Sequence, residues 1–431
     1  MLERPRRGER SLLLHIGLHR PCHEDETQEF RALAESAGAE VVGELHARRD
    51  RPDARYFVGE GKVEELAERV RETGTELILV NRALSPSQER NLENRLKARV
   101  LDRNGLILDI FAQRAATFEG KLQVELAQHE HLASRLVRGW SHLERQKGGI
   151  GLRGPGETQL EVDRRLLDKR IKRLRERLAR VERQREVGRK ERRRAQVPTV
   201  ALVGYTNAGK TSLFNALAGA NQNARDQLFA TLDPTVRRLN VGGADELLLV
   251  DTVGFVRDLP HELVAAFKAT LTETREAALL LHVVDLSDPH HEERQHQVEN
   301  VLREIGAADV PVLRVYNKAD KAEAAGLLPP DAAAEPKKLV VSALTGQGLD
   351  SLIEAVRRQL FGERRTGRVV LGPEQSRLRA ELHEWRAVRH ERPDERGGWI
   401  MDVELTPERW RRVQQDGARL ERGRRQAGSM S

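Results

Sequence analysis

The sequence has very little cysteine, few aromatic residues and no long apolar run. Its 431 residues include one cysteine, Cys22, so no disulfide can form within the chain, which is typical of proteins from reducing compartments. Aromatic residues make up 4% of the chain and charged residues 33%. No segment approaches the roughly 20 apolar residues that a membrane-spanning helix needs. These absences argue against a disulfide-rich scaffold and predict a cytoplasmic protein with a modest aliphatic core.

Positive charge, by contrast, is concentrated in one segment. Residues 164–194 contain 16 Lys or Arg against 5 Asp or Glu, a net charge of +11; the whole chain carries +7, which leaves −4 for the rest. A local excess of this kind indicates contact with a polyanion. The alternative is that these side chains only keep a solvated helix soluble.

Residues 204–211 match the complete G-x-x-x-x-G-K-[ST] pattern of a phosphate-binding loop. The apolar run at 197–203 predicts a buried strand before the loop, and residues 212–219 predict a helix after it. A strand, a glycine-rich turn and a helix N-terminus together direct backbone N–H groups towards phosphate oxygens. We expect Lys210 to reach the β- and γ-phosphates and the Thr211 hydroxyl to bind Mg²⁺.

Further segments that a guanine-nucleotide site requires follow the loop in order. Residues 246–251 predict a strand that ends in Asp251, which is placed to hold Mg²⁺ through water, and the Gly254 amide can meet the γ-phosphate. Asn-Lys-Ala-Asp at 317–320 follows another predicted strand. The Asp320 carboxylate there can accept from the N1–H and the amino group of guanine, which adenine does not offer together.

Two more segments complete the predicted site. Residues 339–341 predict a third strand, and the amides of residues 342–344 behind it can face the guanine O6. Between the phosphate loop and the strand at 246–251 lies Phe-Ala-Thr-Leu-Asp-Pro-Thr at 229–235. One threonine of this segment should close on Mg²⁺ and the γ-phosphate only in the triphosphate state, and we choose Thr231 over Thr235.

Each motif alone could be an ordinary polar turn, but all five in this order favour a site for GTP over one for ATP. The predicted metal ligands are Thr211 and Thr231. The predicted nucleotide-binding residues are Gly204, Tyr205, Thr206, Asn207, Ala208, Gly209, Lys210, Thr211, Phe229, Ala230, Thr231, Leu232, Asp233, Asp251, Thr252, Val253, Gly254, Asn317, Lys318, Ala319, Asp320, Ser342, Ala343 and Leu344.

One position departs from the pattern of small signalling GTPases. These proteins carry Gln after the glycine that corresponds to Gly254, where it orients the attacking water, but this chain has Phe255. The water-positioning group is therefore unknown, and we expect slow intrinsic hydrolysis. Asn207 resembles the asparagine of GTPases that bind K⁺ beside the phosphates, so K⁺ is a candidate cofactor. The alternative is that Asn207 only tightens the loop.

Residues 1–115 alternate predicted strands and amphipathic helices, which indicates a small N-terminal α/β domain. Strands are predicted at Leu12–Leu18, Glu40–Leu45 and Glu76–Val80, and helices at Glu26–Ala37, Lys62–Glu72 and Pro86–Leu96.

Residues 116–196 contain two stretches with apolar residues at heptad spacing, from Leu122 to Leu143 and from Leu167 to Val181. The glycine-rich stretch at 147–156 separates them and is predicted not to be helical. We therefore predict a basic antiparallel helical hairpin with a glycine-rich tip. Because its one aromatic residue, Trp140, lies on the apolar seam, we expect electrostatic contact with folded RNA rather than base stacking.

The remaining chain is predicted to form two domains. Residues 197–362 form the phosphate-loop GTPase domain, with a mostly parallel, doubly wound sheet. Residues 363–431 form a small α+β domain of about two strands and two helices with a disordered tail. Its predicted elements are a helix at Glu374–Arg389, a strand at Trp399–Leu405 and a helix at Pro407–Leu420, and the tail follows Gly423. The predicted fold class is thus α/β.

These motifs together resemble the HflX family of ribosome-associated GTPases. The glycine-rich segment at 148–161, which reads GGIGLRGPGETQLE, carries the most specific resemblance, and the segments at 56–62 and 102–111 resemble the family's N-terminal domain. The resemblance implies a Mg²⁺-dependent GTPase that binds the large (50S) ribosomal subunit and its 23S rRNA as a monomer. It implies splitting of stalled or idle 70S ribosomes under stress, such as heat shock, and stimulation of hydrolysis by ribosomes.

Two alternatives remain open at this point. One is a GTPase that acts in ribosome assembly, with the same chemistry at a different stage. The other is a non-enzymatic regulator that uses the nucleotide only as a structural ligand.

Overall fold

The computed structural model describes residues 8–140, 155–194, 197–219, 228–229, 231–242, 245–257, 268–324, 339–385 and 387–421. Within them, three sheets and a pair of long helices follow one another along the chain. The predicted α/β fold class is confirmed, whereas the boundaries of the four predicted domains stay predictions. None of the described helices combines the length and the apolar character that crossing a membrane requires.

The N-terminal sheet is parallel and has the strand order β2-β1-β3-β4. Its strands are β1 (Arg10–Leu18), β2 (Glu40–Arg49), β3 (Leu77–Val80) and β4 (Arg99–Asp102), and its helices are α1 (Glu24–Ser36), α2 (Glu60–Thr73), α3 (Pro86–Leu96) and α4 (Arg103–Arg114). All six elements predicted here are present. β2 continues four residues beyond its predicted end because its charged second half still pairs with β1, up to Leu18 opposite Arg49.

Two long helices, α5 (Phe118–Trp140) and α6 (Pro155–Arg194), follow the first sheet. Leu122 of α5 packs against Leu174 and Leu178 of α6, as the heptad spacing predicts. The first residue of α5, Phe118, lies under Arg177, so the chain turns back between the helices and they run antiparallel. The residues between them lie outside the described part of the chain.

One prediction for this region is wrong. The stretch at 147–156 was expected not to be helical, but Pro155 and Gly156 are the first two residues of α6. Proline is well suited to the first turn of a helix, because its missing N–H has no partner there and its φ angle is already helical.

The third region is a six-stranded sheet with the order β10-β9-β8-β5-β7-β6. The edge strand β6 runs antiparallel to β7, and every other pairing is parallel. Its strands are β5 (Thr199–Gly204), β6 (Thr235–Asn240), β7 (Glu246–Asp251), β8 (Leu279–Asp285), β9 (Val312–Asn317) and β10 (Leu339–Val340), and its helices are α7 (Lys210–Ala218), α8 (Lys268–Arg275), α9 (His291–Glu304), α10 (Ala319–Ala324) and α11 (Leu349–Phe361).

Both faces of this sheet are buried, as expected for parallel strands covered by helices. Val200 and Leu202 point into a cluster formed with α7 and α11. Ala201 and Val203 point into a second cluster, which continues into the N-terminal region through Phe111 and includes residues of α1 and α4. The two parallel sheets are therefore joined by a shared apolar core.

The last region is an antiparallel sheet with the order β12-β13-β11-β14, packed against two helices. It contains β11 (Arg365–Leu371), β12 (Val388–Pro393), β13 (Trp399–Leu405), β14 (Arg419–Glu421), α12 (Ser376–Glu384) and α13 (Pro407–Gln415), with a 3₁₀ turn at Pro373–Gln375.

The strand β13 and the two helices were predicted, but the count of about two strands is wrong, because the described residues of this region contain four. The predicted helix to Arg389 ends at Glu384, and the predicted helix to Leu420 ends at Gln415. The tail after Gly423 lies outside the described residues.

Candidate nucleotide-binding site

The phosphate loop joins β5 to α7, and two glycines allow its close turns. Gly204 and Gly209 have φ angles of +150° and +89°. A Cβ atom on Gly209 would lie 2.2 Å from the Asn317 side chain, and one on Gly204 would lie 2.3 Å from the Val283 carbonyl oxygen. The loop therefore approaches its neighbours more closely than other residues would allow.

Lys210 lies buried under the loop, at the first position of α7. Its ammonium group donates to the carbonyl oxygens of Gly204, at 3.1 Å, and Tyr205, at 2.7 Å. Burial lowers the pKa of Lys210 to about 8, although the nearby Asp251 carboxylate favours its charged form. A buried cation beside a turn of backbone amides is suited to bind phosphate.

Three oxygen ligands meet beside Lys210. The hydroxyls of Thr211 and Thr231 lie 2.8 Å apart, and each lies 2.8 Å from Oδ2 of Asp251. Oδ1 of Asp251 is buried and has no hydrogen-bond partner among the described residues, and burial raises the pKa of this carboxyl group. Hydroxyl and carboxylate oxygens are the ligands that Mg²⁺ prefers, so this donor set fits the ion.

Of the two candidate threonines, it is Thr231 that reaches this cluster. Thr235 instead begins β6, where its backbone pairs with that of Asp251. The neighbouring Ala230 lies outside the described residues. Phe229 and Leu232 are buried. The carboxylate of Asp233, which was predicted to touch the nucleotide, accepts hydrogen bonds from residues 116–117 before α5.

The residues after Asp251 are held tightly against the phosphate loop. The Thr252 hydroxyl donates to the Leu202 carbonyl at 2.5 Å, and Val253 is buried. A Cβ atom on Gly254 would lie 2.7 Å from the Thr206 side chain and 2.9 Å from Nζ of Lys210. The absence of a side chain there leaves the Gly254 backbone close to the predicted γ-phosphate position.

Phe255 is 3% exposed and pairs with the phosphate loop through its backbone. The Thr206 N–H donates to its carbonyl at 2.7 Å, and its own N–H donates to Gly204 at 3.1 Å. A buried aromatic ring cannot hold a water molecule by hydrogen bonding. Hydrolysis must therefore rely on another group to orient the water.

The Asn-Lys-Ala-Asp loop connects the phosphate loop to the loop after β10. Asn317 donates to the Ala208 carbonyl and accepts from the Ala343 N–H, both at 3.0 Å. The Ser342 hydroxyl donates to the Asp320 carboxylate at 2.6 Å. The structure thus brings the predicted guanine-binding segments together on one side of the loop.

The backbone of these segments is already partly paired. Ala319 donates to Val341 at 3.1 Å, and Ser342 donates to Gln347 at 3.0 Å. Since the amides of Ser342 and Ala343 have protein partners, the Leu344 amide is the remaining candidate for the guanine O6. Its side chain is 83% exposed.

Several contacts in and around the site were missed by sequence reasoning. Lys318 forms an ion pair of 2.7 Å with Asp285, an acid at the end of a buried strand, and that position was a usable signal. The Tyr205 hydroxyl donates to the Glu29 carboxylate. Arg103 donates to Glu29 at 2.6 Å and to the carbonyl of Arg257 at 2.9 Å. Glu29 lies on the polar face of α1, where nothing in the sequence marks it.

These contacts place α1 against the phosphate loop. The backbone N–H of Arg257 donates to the Tyr205 hydroxyl at 2.8 Å, and its guanidinium donates to Glu26 at 2.6 Å. Burial and the Glu29 carboxylate raise the pKa of Tyr205, so the hydroxyl keeps its proton and acts as a donor. The N-terminal sheet and the nucleotide site are therefore joined by hydrogen bonds as well as by apolar packing.

Sequence profiles of known protein families match nearly the whole chain. Residues 24–112 match a family described as GTP-binding GTPase N-terminal, and residues 114–192 its Middle Region counterpart. Residues 199–318 match 50S ribosome-binding GTPase, and residues 328–426 match HflX C-terminal domain.

The chain is also similar to individual proteins. The chain is 52% identical to GTPase HflX of Escherichia coli over 96% of this chain and 97% of that protein. It is 47% identical to GTPase HflX of Magnetococcus marinus over 94% and 95%. A GDP complex of a GTP-binding protein from Sulfolobus solfataricus is 24% identical, with a TM-score of 0.43, over 82% of this chain and 99% of that one.

Proposed function

The chain belongs to the HflX family of GTPases, and we propose that it binds the 50S ribosomal subunit and splits stalled or idle 70S ribosomes under stress. In this proposal GTP binding favours the ribosome-bound state, and hydrolysis releases the protein. The protein acts in the cytoplasm as a monomer, and its RNA partner is 23S rRNA.

The observation that carries the ribosome proposal is the exposed basic face of α6. All ten Lys and Arg residues between 164 and 183 are exposed. The seam that packs on α5 is apolar, so this charge is free of the hairpin interior apart from ion pairs such as Arg170–Glu125. A surface of this charge suits the phosphate backbone of folded RNA.

The residues of the nucleotide site account for the chemistry of GTP hydrolysis. Water attacks the γ-phosphorus, the bond to the β–γ bridging oxygen breaks, and GDP and phosphate leave. Lys210 and the loop amides bind the β- and γ-phosphate oxygens and stabilise the charge that develops on them. Thr211 and Thr231, with Asp251 behind them, would hold Mg²⁺, which supplies further neutralisation of that charge when bound.

Phe255 is buried and its ring cannot bind water by a hydrogen bond. A group outside the loop that carries Phe255 must therefore orient the attacking water. We propose that ribosome contact supplies or orders this group, so that 50S subunits stimulate turnover. K⁺ is a further candidate: Asn207 is exposed on the loop with φ of +63°, which leaves its side chain accessible beside the phosphates. Equal rates in K⁺ and Na⁺ buffers would remove this part of the proposal.

The test is steady-state GTP turnover by the full-length protein with and without purified 50S subunits. We expect turnover to rise by at least about tenfold, which is well below the roughly 10³- to 10⁵-fold that a supplied arginine finger contributes. Unchanged turnover, with GTP binding retained, would favour a non-enzymatic regulator instead.

Sedimentation of 70S ribosomes separates splitting from assembly. We expect the protein with a non-hydrolysable GTP analogue to convert 70S particles into 30S and 50S subunits. If mature 70S particles stay intact and the protein sediments only with immature subunits, the assembly function replaces the splitting function.

A further inference from the structure

The carboxylate of Asp233 is held at the start of α5, the first helix of the basic hairpin. Its Oδ2 atom accepts from the backbone N–H groups of Ala116, at 2.9 Å, and Thr117, at 2.8 Å. Its Oδ1 atom accepts from the Thr117 hydroxyl at 2.5 Å. Thr117 Oγ1 in turn accepts from the Gly120 N–H at 3.0 Å, so the carboxylate completes the N-terminal cap of the helix.

The start of α5 is shaped around this carboxylate. A Cβ atom on Gly120 would lie 2.3 Å from Oδ1 of Asp233, so any side chain at position 120 would displace it. Backbone N–H groups at a helix start also carry partial positive charge, which favours an anionic partner. Asp233 therefore makes several mutually dependent contacts with α5 rather than one surface hydrogen bond.

Asp233 is separated by only one residue from Thr231, whose hydroxyl lies in the candidate Mg²⁺ cluster with Thr211 and Asp251. Two residues of extended chain span at most about 7 Å. A shift of Thr231 of a few ångströms must therefore move Asp233 or change its contacts with α5. The nucleotide site and the hairpin are linked through this short piece of chain.

A second contact holds the other side of the same segment to the base of the hairpin. The ring of Phe229 meets that of Phe111 edge to face, with centroids 4.6 Å apart. Phe111 lies in the last turn of α4, which leads directly into α5. The segment around Thr231 is thus attached to the base of the hairpin on both sides of the threonine.

We propose that Asp233 is the positioning residue through which Thr231 and the basic hairpin sense one another. When the γ-phosphate orders Thr231, Asp233 is held on the α5 N-terminus and the hairpin is fixed in its RNA-binding orientation. By linkage, RNA bound to the hairpin favours the ordered position of Thr231 by the same factor. This proposal rests on the proposed function, because it specifies how GTP would control 50S binding.

A simpler alternative is that Asp233 only caps α5. Loss of a cap weakens a helix start, and it does so equally with GDP or GTP bound. Positioning, by contrast, makes the state of α5 depend on the nucleotide. Capping alone and positioning therefore predict different results when α5 is compared between the GDP and GTP states, whereas a stability measurement does not separate them.

The first experiment measures amide hydrogen exchange in the full-length protein alone. With a non-hydrolysable GTP analogue we expect the first turn of α5 to exchange at least about fivefold more slowly than with GDP, the lower end of typical allosteric coupling. Asp233→Ala should abolish this difference. Asp233→Asn, which replaces one acceptor oxygen with a donor, should reduce it. Equal exchange in both nucleotide states of the unsubstituted protein would overturn the proposal without any use of ribosomes.

The second experiment measures the ratio of 50S affinities with the GTP analogue and with GDP. Thr117→Val is the key variant, because it changes the α5 side of the contact and leaves every predicted nucleotide ligand in place. We expect it to reduce the ratio of 50S affinities at least about fivefold. The affinity of the protein for the GTP analogue itself should change little. A ratio unchanged in both Thr117→Val and Asp233→Ala would overturn the proposal. A ratio of one in the unsubstituted protein would instead contradict the proposed function.

Discussion

The two ends of the β6–β7 hairpin are held in different ways. At the end near Asp251, half-exposed Asp233 accepts from backbone amides and one hydroxyl at the start of α5. At the opposite end, buried Asp245 forms an ion pair of 3.1 Å with Arg357, which also pairs with Glu404 of β13. Exposed hydrogen bonds to neutral donors exchange readily with water, whereas a buried ion pair that loses a partner is costly.

This difference indicates that the Asp233 end of the β6–β7 hairpin can respond to a ligand, whereas the Asp245 end is fixed. Asp245 also pairs with Arg364 at 2.5 Å, and Glu404 with Arg389. The C-terminal sheet is thereby anchored to the turn of the β6–β7 hairpin. We infer that this anchor keeps β7, and with it Asp251, in place while the segment around Thr231 changes with the nucleotide.

Lys210→Ala should prevent the nucleotide binding to which the Asp233 end of the β6–β7 hairpin is expected to respond. Because Lys210 is the buried cation of the phosphate loop, we expect affinity for GTP and GDP to fall by about 1,000-fold or more, equivalent to about 4 kcal/mol. Isothermal titration with Mg²⁺ present measures the loss. A loss of less than about tenfold, or about 1.4 kcal/mol, would contradict the assignment of the site.

Arg357→Ala removes the ion pairs that hold the Asp245 end of the β6–β7 hairpin. It leaves Asp245 and Glu404 buried with fewer cationic partners, so we expect the free energy of unfolding to fall by about 3 kcal/mol, as for other broken buried pairs. Urea denaturation measures the change.

The matched control is Arg368→Ala on β11, in the C-terminal sheet that the Arg357 network anchors. Arg368 pairs with Asp402, and both side chains are more than a third exposed, at 39% and 43%. We expect a loss of no more than about 1 kcal/mol there. Equal losses for the two variants would show that the buried network is not an anchor.

Acid should destabilise the six-stranded sheet to which the β6–β7 hairpin belongs. His282 on β8 is 1% exposed, and burial lowers its pKa from 6.5 to about 4. Between these values the unfolded chain binds a proton that the folded protein does not, so stability is complete above pH 6.5 and falls as the pH drops towards 4. At pH 5 the expected loss is about 2 kcal/mol, from 1.36 kcal/mol per pH unit.

His282→Gln should reduce this pH dependence, since the amide does not titrate; buried His15, whose pKa is likewise lowered to about 4, still contributes. His296→Gln is the control, because its side chain is 79% exposed. The readout is the urea midpoint measured from pH 7 to pH 4.5. A slope that His282→Gln leaves unchanged would exclude this histidine as the source.

Charge reversal on α6 tests whether the basic helical hairpin binds RNA. We expect Arg164→Glu, Arg165→Glu and Arg173→Glu together to weaken 50S binding by about tenfold at moderate salt and to reduce its salt dependence. Arg170 is left unchanged because its ion pair with Glu125 joins the two helices. Basal GTP hydrolysis should stay the same.

The control for this variant makes the same charge change elsewhere. Arg377, Arg392 and Arg396 are exposed in the C-terminal region, and their reversal should leave 50S affinity within about threefold, the usual scatter of surface electrostatic effects. If both triple variants lose affinity alike, net charge rather than the hairpin controls binding.

The elements around the nucleotide could be predicted because each is specified locally. The phosphate loop, the strand ending at Asp251 and the Asn-Lys-Ala-Asp loop are short motifs at strand ends, and their places in the sheet follow from parallel topology. By contrast, Asp233 and Thr117 are 116 residues apart. No local pattern announces a contact of that range, so Asp233 was assigned to the nucleotide.

Two of the three strands of the C-terminal sheet that were not placed from the sequence were missed for a physical reason as well. β12 and β14 are its two edge strands, and Val388–Pro393 is mostly charged. Edge strands often carry charge, which blunts unwanted pairing, and so lose the alternation that identifies a strand. The central strand β13, which has apolar residues on its buried face, was predicted with its bounds correct.

We expect the γ-phosphate to set the affinity of the basic helical hairpin for the large subunit. The most direct measurement is the dissociation constant for purified 50S subunits with a non-hydrolysable GTP analogue and with GDP, at one salt concentration. We expect binding to be at least about tenfold tighter with the GTP analogue. Equal dissociation constants in the two nucleotide states would contradict the account.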